Sequence, residues 1–517
     1  MTAQPIDDAD ERAAIEGESD PRRKCTDTGN AERLIALYGN ALRYCAPWKA
    51  WLVWDGKRWE RDVRGRVHHY AKLTARSIYS EAARIEDADV RKAVAEWAKK
   101  SESRDKRAAM VVCAQSEPSI AVHFADLDRD PMLLNVTNGT IDLKTGVRRA
   151  HERNDLITKL APVEHVENAS APLFDAFLAQ VLPDSDVRTF LQRFAGCCLS
   201  GDVSHRVFVF LAGTGRNGKS VLLRVLRTLL GDYAIVAAPD LLMAKKEAAH
   251  PTELADLFGA RLVVCQEVSK GRTFNEQRVK ELTGNEGALR VRRMNEDFWE
   301  FAPTFKIAIA GNHQPRVVDD TDSIWDRMRK VPFRVRIANE QIDPHLFDKL
   351  RAEFPGILRW ALAGCLDWQT NGLPAPKAVA VATESYRTDE DTLGRFFADC
   401  CVLEAEARIT TKSIASAVAE WCVVNGEREI SRKAITDRLK STPGCAEKRT
   451  NRARGWTGIR LLNADEIAAR DAEDRGPGDA VTESDAPSGV SSRETSEGPG
   501  VAPSTSRNGT PSLPGVQ

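Results

Sequence analysis

The sequence predicts an α/β fold built around a mostly parallel sheet. Over residues 166–345, short apolar runs typical of buried strands alternate with helical segments, the order expected when parallel strands are joined by crossover helices. One of these strands, RVFVFLA at 206–212, leads into the glycine-rich stretch GTGRNGKS at 213–220, and SVLLRVL at 220–226 continues as a helix. A strand, a glycine-rich loop and a helix follow one another here, so the parallel sheet is predicted to include this part of the chain.

The composition is that of a large globular protein. The chain has 517 residues, of which 42% are hydrophobic, so it can hold several cores. Its eleven cysteines form no C-x-x-C pair, which argues against a zinc ribbon and favours a reducing cytoplasm. The start MTAQPIDDADERAA does not resemble a signal peptide, and no apolar run of about 18 residues predicts a membrane span. The net charge of −1 does not exclude DNA, because acidic segments can offset a basic channel.

The two ends of the chain are predicted to be disordered. Residues 1–30 are acidic and polar, and residues 464–517 consist largely of Gly, Pro, Ser and Thr without apolar periodicity. Between them, residues 31–165 are predicted to form a mixed α and β domain, with hairpins in WLVWDGKRW and LLNVTNGTIDLKTG.

The second half of the chain is predicted to contain two further segments. Residues 346–390 are predicted to be helical. Residues 391–463 are predicted to form three helices and a closing hairpin with its turn at Gly455, a pattern that suggests a winged helix. Such a module could bind DNA through one helix or dock another protein, and the sequence leaves both open.

GTGRNGKS matches the phosphate-binding pattern G-x-x-x-x-G-K-[ST] in its strand, loop and helix context. Glycines let successive backbone N–H groups surround phosphate oxygens, and the helix N-terminus adds a favourable dipole. Lys219 would contact the β and γ phosphates and Ser220 would bind Mg²⁺, so ATP and Mg²⁺ are the predicted cofactors. The predicted nucleotide-binding residues are Gly213, Thr214, Gly215, Arg216, Asn217, Gly218, Lys219, Ser220 and Val221.

Two later apolar strands end in polar side chains suited to hydrolysis. RLVVCQE ends at Glu267, which would polarise the attacking water and assist the Mg²⁺ shell together with Ser220. The alternative is an ordinary buried strand with a solvated glutamate at its end. FKIAIAGN ends at Asn312, which could sense the γ phosphate or position water. The strand that leads into the glycine-rich loop and these two later strands, in this order, favour a hydrolase, with Lys219, Glu267 and Asn312 as catalytic residues.

A basic stretch follows the second of these strands. In KELTGNEGALRVRRMNEDFWEF, four cations precede two aromatic residues and could grip a single-stranded backbone, although a solvated basic face remains the alternative. The predicted DNA-binding residues are Lys280, Arg290, Arg292 and Arg293. Phe298 and Trp299 are expected to pack in the core rather than to stack on bases.

Three aspartates in ADLDRDP could suggest the paired metal ligands of a nucleotidyl transferase. Asp126, Asp128 and Asp130 lie on a short polar stretch without further catalytic strands around them. The sequence therefore favours a turn at this position.

The motifs together resemble those of superfamily 3 helicases, specifically the phage and plasmid primase-helicase family that includes the poxvirus primase-helicase. GTGRNGKS is similar to that family's Walker A, RLVVCQE to its Walker B, AGNHQPR to its sensor 1 and SIWDRMRKVPF to its arginine-finger segment. KELTGNEGALRVRR resembles the motif between Walker B and sensor 1, and WLVWDG and LLNVTNGTIDLKTG resemble the N-terminal helicase-associated domain. The resemblance covers most of the chain.

The resemblance implies an AAA+-like core and a hexameric 3'-to-5' DNA helicase used in phage or plasmid replication, hence in the host bacterial cytoplasm. It makes Arg327 the arginine finger and so a catalytic residue, with Arg329 as its nearest competitor. Gln266 stands where many members carry a second acidic residue, so Glu267 would serve both Mg²⁺ and water.

Two functions from different classes follow from the sequence. The first is an ATP-driven ring helicase that acts as a homo-hexamer on single-stranded and duplex DNA, with a possible separate primase or polymerase as partner. The second is an ATP-regulated DNA-binding initiator or loading scaffold without sustained unwinding. A primase domain of its own is not expected, because only about thirty residues precede the helicase-associated domain.

Overall fold

The computed structural model describes residues 25–245, 251–266, 270–284, 287–292, 297–317, 322–449, 454–463 and 465–466. The chain divides into two compact units, Met1–Arg395 and Phe396–Gln517. No helix among the described residues is long and apolar enough to cross a membrane. The predicted disordered ends lie outside the described residues, apart from 25–30 and 465–466.

The first unit begins with a four-stranded sheet packed against helices. Its elements are α1 Asp27–Tyr38, β1 Leu42–Cys45, β2 Ala50–Trp54, β3 Trp59–Arg61, α2 Arg66–Ala83, α3 Ala88–Ser101, α4 Arg104–Ala114 and β4 Ala121–Val122. The sheet order is β3-β2-β1-β4, with β4 parallel to β1 and the other pairs antiparallel. The predicted WLVWDGKRW hairpin is confirmed, since Trp54 pairs with Trp59 across the turn.

Helix α1 begins inside the segment predicted to be disordered. The hydroxyl of Thr26 accepts a hydrogen bond from the backbone N–H of Gly29 at 3.0 Å, which caps the helix at Asp27. Acidic composition near the end of a chain hid this capping signal, so the prediction of disorder up to residue 30 was wrong for 27–30.

A three-stranded antiparallel sheet and two helices follow. The elements are β5 Leu133–Val136, β6 Gly139–Asp142, β7 Val147–Arg149, α5 Pro172–Val181 and α6 Ser185–Cys197. The predicted LLNVTNGTIDLKTG hairpin is confirmed, with Thr137 and Asn138 in the turn between β5 and β6 and Gly139 as the first residue of β6. The buried side chains of Leu134, Val136 and Ile141 join the same core as α5 and α6, so these strands pack against the helices that precede the parallel sheet.

The predicted parallel sheet is confirmed. Its strands and the intervening elements are β8 Phe208–Ala212, α7 Lys219–Leu230, β9 Ala234–Val236, α8 Pro251–Ala255, β10 Leu262–Gln266, α9 Glu276–Thr283, β11 Leu289–Val291, β12 Trp299–Phe301, β13 Lys306–Gly311, α10 Asp322–Trp325 and β14 Met328–Pro332. The strand order is β14-β8-β13-β10-β9, and every neighbouring pair is parallel. Strands β11 and β12 form a separate antiparallel hairpin.

Both faces of the parallel sheet are buried. Along β8, Val209 and Leu211 face one hydrophobic cluster, whereas Phe208 and Phe210 face another. Because neither face is exposed to water, the strands are continuous apolar runs rather than alternating ones. The same pattern allowed the strands to be recognised in the sequence.

Three helices complete the first unit: α11 Leu346–Ala352, α12 Phe354–Asn371 and α13 Lys377–Glu390. Helix α12 packs closely on α6 through glycines. A Cβ on Gly196 would lie 2.1 Å from the backbone N of Cys365, and a Cβ on Gly364 would lie 2.1 Å from the backbone O of Gln192. Only glycine therefore fits at these two positions of the helix crossing.

The second unit combines helices with a three-stranded antiparallel sheet. Its elements are α14 Thr392–Cys400, which begins just before the boundary, β15 Cys401–Thr410, α15 Thr411–Val424, α16 Arg432–Ser441, β16 Ala446–Arg449 and β17 Arg454–Leu461. The sheet order is β15-β17-β16. Its core includes Ile414, Ile435, Leu439, Trp456 and Ile459.

Two expectations for this unit were wrong. Gly455 does not form a turn but lies inside β17, where it pairs with Thr410 and Lys448. Strand β15 was not predicted at all, because most of its side chains are exposed or half-buried and leave no apolar alternation. Residues 450–453, which connect β16 to β17, lie outside the described residues.

Replacing Gly196 by alanine should destabilise the first unit. The added Cβ meets backbone atoms of α12, which cannot rotate away, so we expect a loss of about 1–3 kcal/mol despite alanine's better helix propensity. Differential scanning calorimetry measures the effect as a lower Tm. The control is Gly287→Ala, whose Cβ would have no atom within 4 Å. Equal Tm values for the two variants would contradict the close helix crossing.

Candidate functional site

The candidate site lies where three parallel strands end. Ala212, the last residue of β8, pairs with Gly311 of β13, and Ala310 pairs with Gln266, the last residue of β10. Because these strands are parallel, the residues that follow them meet at the carboxyl edge of the sheet, the usual position of ligand sites in open α/β sheets. The glycine-rich loop follows β8 and Asn312 follows β13 at this edge.

The loop between β8 and α7 uses left-handed backbone conformations. Gly215, Arg216 and Gly218 have φ angles of +99°, +53° and +82°. Left-handed residues in such a loop let successive N–H groups turn towards one side and form a concave anion-binding surface. Close packing also restricts Gly218, since a Cβ there would lie 2.7 Å from Val181 Cγ1 of helix α5.

Lys219 is the first residue of α7, and its ammonium is held at the centre of the site. Nζ donates to the backbone O of Gly213 at 2.8 Å, to Asn217 Oδ1 at 2.9 Å and to Asn312 Oδ1 at 3.3 Å. Its side chain is only 4% exposed, and burial lowers the pKa of this ammonium. All three acceptors are neutral oxygens, so the positive charge is available to an anionic ligand.

Asn217 connects the loop to strand β14. Its Nδ2 donates to the backbone O of Phe333 at 3.3 Å, while the N–H of Phe333 donates to the backbone O of Ala212 at 2.7 Å. Farther along, the N–H of Ile337 donates to the backbone O of Arg216 at 2.8 Å. Sequence reasoning placed Asn217 among the nucleotide-binding residues but missed this bracing role, which depends on the pairing of β14 with β8.

Position 213 is occupied by glycine because a side chain would have no room there, not because of its φ angle. A Cβ there would lie 2.2 Å from Asn217 Nδ2 and 2.5 Å from the backbone O of Phe333. A larger residue would therefore displace the asparagine that accepts from Lys219. Glycine at the start of the motif keeps Asn217 and Phe333 in contact.

The remaining predicted residues of the site occupy different positions. Thr214 and Ser220 are exposed, and Val221 is half-buried in the first turn of α7. Gln266 is half-buried at the end of β10. Glu267, the predicted catalytic and metal-binding carboxylate, lies outside the described residues.

Arg327 lies at the opposite edge of the sheet. It directly precedes β14, whose first residue Met328 pairs with Phe208 at the start of β8. Five strand residues at ~3.3 Å each separate that end from the loop by about 16 Å. The Arg327 guanidinium donates to the backbone O of Ser323 at 2.8 Å, and its Nε is buried without a hydrogen-bond partner among the described residues.

Arg329, the predicted competitor of Arg327, is engaged locally. Its guanidinium donates to the backbone O of Asp326 at 2.8 Å and of Met328 at 2.9 Å. Burial lowers its pKa. These bonds to carbonyl oxygens of its own turn leave Arg329 less available than a freely projecting side chain.

The described residues of the predicted basic segment lie mainly in α9 and in the two strands of the β11–β12 hairpin. Arg290 and Arg292 are exposed on this hairpin, and Lys280 is exposed on α9, whereas Arg293 lies outside the described residues. The expectation that both aromatics pack in the core was wrong for Phe298, which is 46% exposed. It was right for Trp299, whose ring contacts Phe124, Phe258 and Phe301.

The three aspartates of ADLDRDP stabilise a turn, as predicted. Asp126 accepts from the N–H of His123, Asp130 accepts from the N–H of Met132, and Asp128 accepts from the N–H of Thr158 at 2.7 Å. Asp126 and Asp130 therefore fix local backbone, whereas Asp128 fixes the backbone of a residue thirty positions later in the chain. This use of the carboxylates gives no support to a paired metal site.

Two family models match the chain. One, described as "D5 N terminal like", matches residues 31–183, and the other, described as "Family of unknown function (DUF5906)", matches residues 211–329. The second match includes the glycine-rich loop, the end of β10, Asn312 and Arg327. The first covers the four-stranded sheet and the strands β5 to β7.

Curated relatives come from large DNA viruses. "Putative helicase L207/L206" of Acanthamoeba polyphaga mimivirus is 27% identical over 300 residues, which cover 54% of this chain and 31% of that protein. "Putative helicase 022R" of Frog virus 3 is 27% identical over 304 residues, covering 55% and 31%. "Putative primase C962R" of African swine fever virus is 24% identical over 341 residues, covering 58% and 34%. The matched region thus spans about a third of the length of these relatives.

Among solved structures, the apo C-terminal region of NrS-1 is similar, with a TM-score of 0.47 and 11% identity. The superposition covers 83% of this chain and 99% of that chain.

Replacing Asn217 by alanine should lower the free energy of unfolding of the first unit by about 1–3 kcal/mol. The change removes one acceptor of Lys219 and leaves the buried backbone O of Phe333 without its donor. Thermal unfolding followed by circular dichroism measures the loss.

The matched control is Asn339→Ala, since Asn339 is an exposed asparagine that accepts from the guanidinium of Arg216. We expect a change of no more than about 0.5 kcal/mol there. Equal effects of the two substitutions would show that Asn217 does not brace the loop.

Proposed function

We propose that this chain, whose family models and viral relatives support the phage and viral primase-helicase family, is the ATP-driven motor of a superfamily 3 DNA helicase with an AAA+-like core. The observation that carries the proposal is the position of Lys219. Its buried ammonium lies between the glycine-rich loop and Asn312 and is surrounded by neutral acceptors. A triphosphate is the anion whose charge and length fit a loop, a helix N-terminus and a lysine arranged in this way.

The chain's own groups would hold ATP as follows. Backbone N–H groups of the loop and the N-terminus of α7 would bind phosphate oxygens, and Lys219 would exchange its neutral acceptors for the β and γ phosphates. Ser220 offers an exposed hydroxyl in the first turn of α7. Hydroxyl, carboxylate and phosphate oxygens suit Mg²⁺, so Ser220 and Glu267 would hold the ion, which neutralises phosphate charge when bound.

Hydrolysis would depend on the two strand ends beside the loop. Glu267 follows Gln266 at the end of β10 and would accept a proton from the attacking water. Asn312 lies between that strand and Lys219, because β13 separates β10 from β8 in the sheet. Its amide, now 3.3 Å from the ammonium, would position water or contact the γ phosphate.

Arg327 would act on a neighbouring subunit. The distance of about 16 Å along β8 is farther than one arginine side chain extends, so Arg327 cannot reach the loop of its own chain. A guanidinium entering the next subunit's site would stabilise charge on the transferred phosphoryl group. This placement supports assembly as a ring, for which we propose a homo-hexamer.

Single-stranded DNA would contact the β11–β12 hairpin. Arg290, Arg292 and Lys280 are exposed there or close by in the chain, and Arg293 would add a fourth cation. Cations that track a phosphate backbone bind without sequence preference. A separate primase or polymerase would supply primers to such a motor.

The ring proposal is tested by mixing inactive variants. Lys219→Ala removes phosphate neutralisation and Arg327→Ala removes the finger, so each alone should lose DNA-stimulated ATPase activity. When mixed, some interfaces pair an intact Lys219 with an intact Arg327, and part of the ATPase activity should return. Phosphate release measures the activity, and size-exclusion chromatography with light scattering confirms co-assembly.

The control is Arg329→Ala, an arginine two residues away that lies inside β14, where it pairs with Val209. We expect it to retain ATPase activity. Full activity of Arg327→Ala alone, or no recovery in a co-assembled mixture, would refute action between subunits.

The second unit favours an additional or alternative role. Three helices with an antiparallel sheet fit the predicted winged helix, and α16 exposes Arg432 and Lys433 at its start. The alternative function is an ATP-regulated initiator or loading scaffold that engages duplex DNA through this unit. Strand displacement by the purified protein distinguishes the two, because a scaffold would hydrolyse ATP without unwinding.

Neutralising the start of α16 tests whether this unit binds duplex DNA. The double substitution Arg432→Gln with Lys433→Gln should weaken duplex binding, and the slope of log affinity against log salt should become shallower by about 0.9 for each lost phosphate contact. Fluorescence anisotropy measures both quantities. The control, Lys412→Gln with Arg428→Gln, removes the same charge from exposed positions outside α16. If the two double substitutions give identical salt slopes, the result would favour docking of a protein by the second unit instead.

A further inference from the structure

The β11–β12 hairpin has two chemically different faces. Leu289 and Val291 are buried on one face, and they pair with Phe301 and Trp299 of the opposite strand. The other face carries Arg290, Arg292, Phe298 and Glu300, all of which are exposed. Successive side chains of a strand alternate between faces, so these four residues share one surface.

The Phe298 ring contacts both arginines. The guanidinium carbons of Arg290 and Arg292 lie 4.8 Å and 5.0 Å from the centre of its ring. Both distances are within the range of cation–π contacts. The ring is nevertheless 46% exposed, so the contacts leave much of its surface open to water.

Packing alone does not explain an aromatic ring here. The hydrophobic anchoring of the hairpin comes from its other face, where Trp299 and Phe301 join a cluster that includes Phe258. A cross-strand contact between Arg292 and an exposed ring adds about 0.2–1 kcal/mol at most to such a hairpin. An exposed aromatic flanked by two cations is instead the combination found where single-stranded nucleic acids bind.

We propose that Phe298 is a stacking site for a base of single-stranded DNA, with Arg290 and Arg292 contacting the adjoining phosphates. The inference rests on the proposed function, since it assigns a residue to the hairpin that would grip DNA. Every base has a π face, so the site would accept any base and would not read sequence. Both guanidinium groups lie over the ring, so the base would displace one of them or stack on its guanidinium plane.

The two kinds of contact respond differently to salt and to the base. Phosphate contacts by arginine release counterions. Each contact that is lost therefore makes the slope of log affinity against log salt shallower by about 0.7 on single strands. Stacking releases no counterions, so its loss leaves the salt slope unchanged. A strand of abasic sites keeps every phosphate but offers nothing to stack on.

The experiment measures affinity for oligothymidylate and for an abasic strand of the same length, at several salt concentrations. Four forms of the full chain are compared: the unchanged protein, Phe298→Ala, Phe298→Leu and Phe298→Trp. A fifth, Arg290→Gln with Arg292→Gln, tests the phosphate contacts. Tyr79→Ala is the control, because it removes a ring that is 40% exposed on α2, outside the hairpin.

We expect Phe298→Ala and Phe298→Leu to weaken binding to oligothymidylate by about 5-fold or more, the lower end of what one stacked base contributes. Their affinity for the abasic strand and their salt slopes should stay unchanged. Phe298→Trp should restore binding, and Tyr79→Ala should change nothing. Arg290→Gln with Arg292→Gln should weaken binding to both strands and make the salt slope shallower.

Two results would overturn the inference. If Phe298→Ala weakens binding to both strands equally, the ring only braces the hairpin, and if it weakens binding to neither strand, the ring takes no part in binding. In both cases the proposed motor function stands as long as the double substitution of Arg290 and Arg292 still weakens binding. If the unchanged protein binds neither strand and the arginine double has no effect, the proposed contact between the hairpin and DNA fails as well.

Discussion

The parallel pairing of β8 with β13 is the constraint on which the site depends. This register sets Ala212 beside Gly311, so the glycine-rich loop and Asn312 emerge next to each other. A shift of one residue would turn every side chain of β13 to the opposite face, and both faces of this sheet are buried. The hydrophobic cores therefore determine the distance between Lys219 and Asn312, although neither residue belongs to them.

The buried ammonium of Lys219 makes the site favour anionic ligands. Burial disfavours its charged form, and three neutral oxygens compensate only part of the lost hydration. An anionic ligand would relieve this penalty, so the burial of Lys219 would favour its binding. Asn217 makes that possible, because it accepts from the ammonium and is itself fixed by Phe333. The Asn217 side chain thereby connects strand β14 to Lys219, whose ammonium would contact a phosphate.

Local signals made much of the fold predictable from the sequence. The apolar runs at β8, β10 and β13 and the loop at 213–220 each depend on residues adjacent in the chain, and these elements were predicted correctly. The bond from Asn217 to Phe333 could not be predicted, because it requires the order of strands in the sheet. Strand β15 escaped prediction because exposed side chains give it no apolar pattern. Phe298 was misassigned because FWEF contains three aromatics, and its composition does not tell which of them faces solvent.

The two ends of the sheet explain why a single chain would not be a complete motor under the proposed function. The glycine-rich loop lies at the carboxyl edge and Arg327 lies at the amino edge, so one chain presents two halves of different sites. Joining the loop of one copy to Arg327 of the next creates a head-to-tail interface, and repeated head-to-tail interfaces close into a ring when the rotation between subunits permits. The hairpin lies between β10 and β13 in the chain, the strands that end beside the loop. A change at the phosphates could therefore reach the hairpin through either flanking strand, which would couple ATP turnover to the grip on DNA.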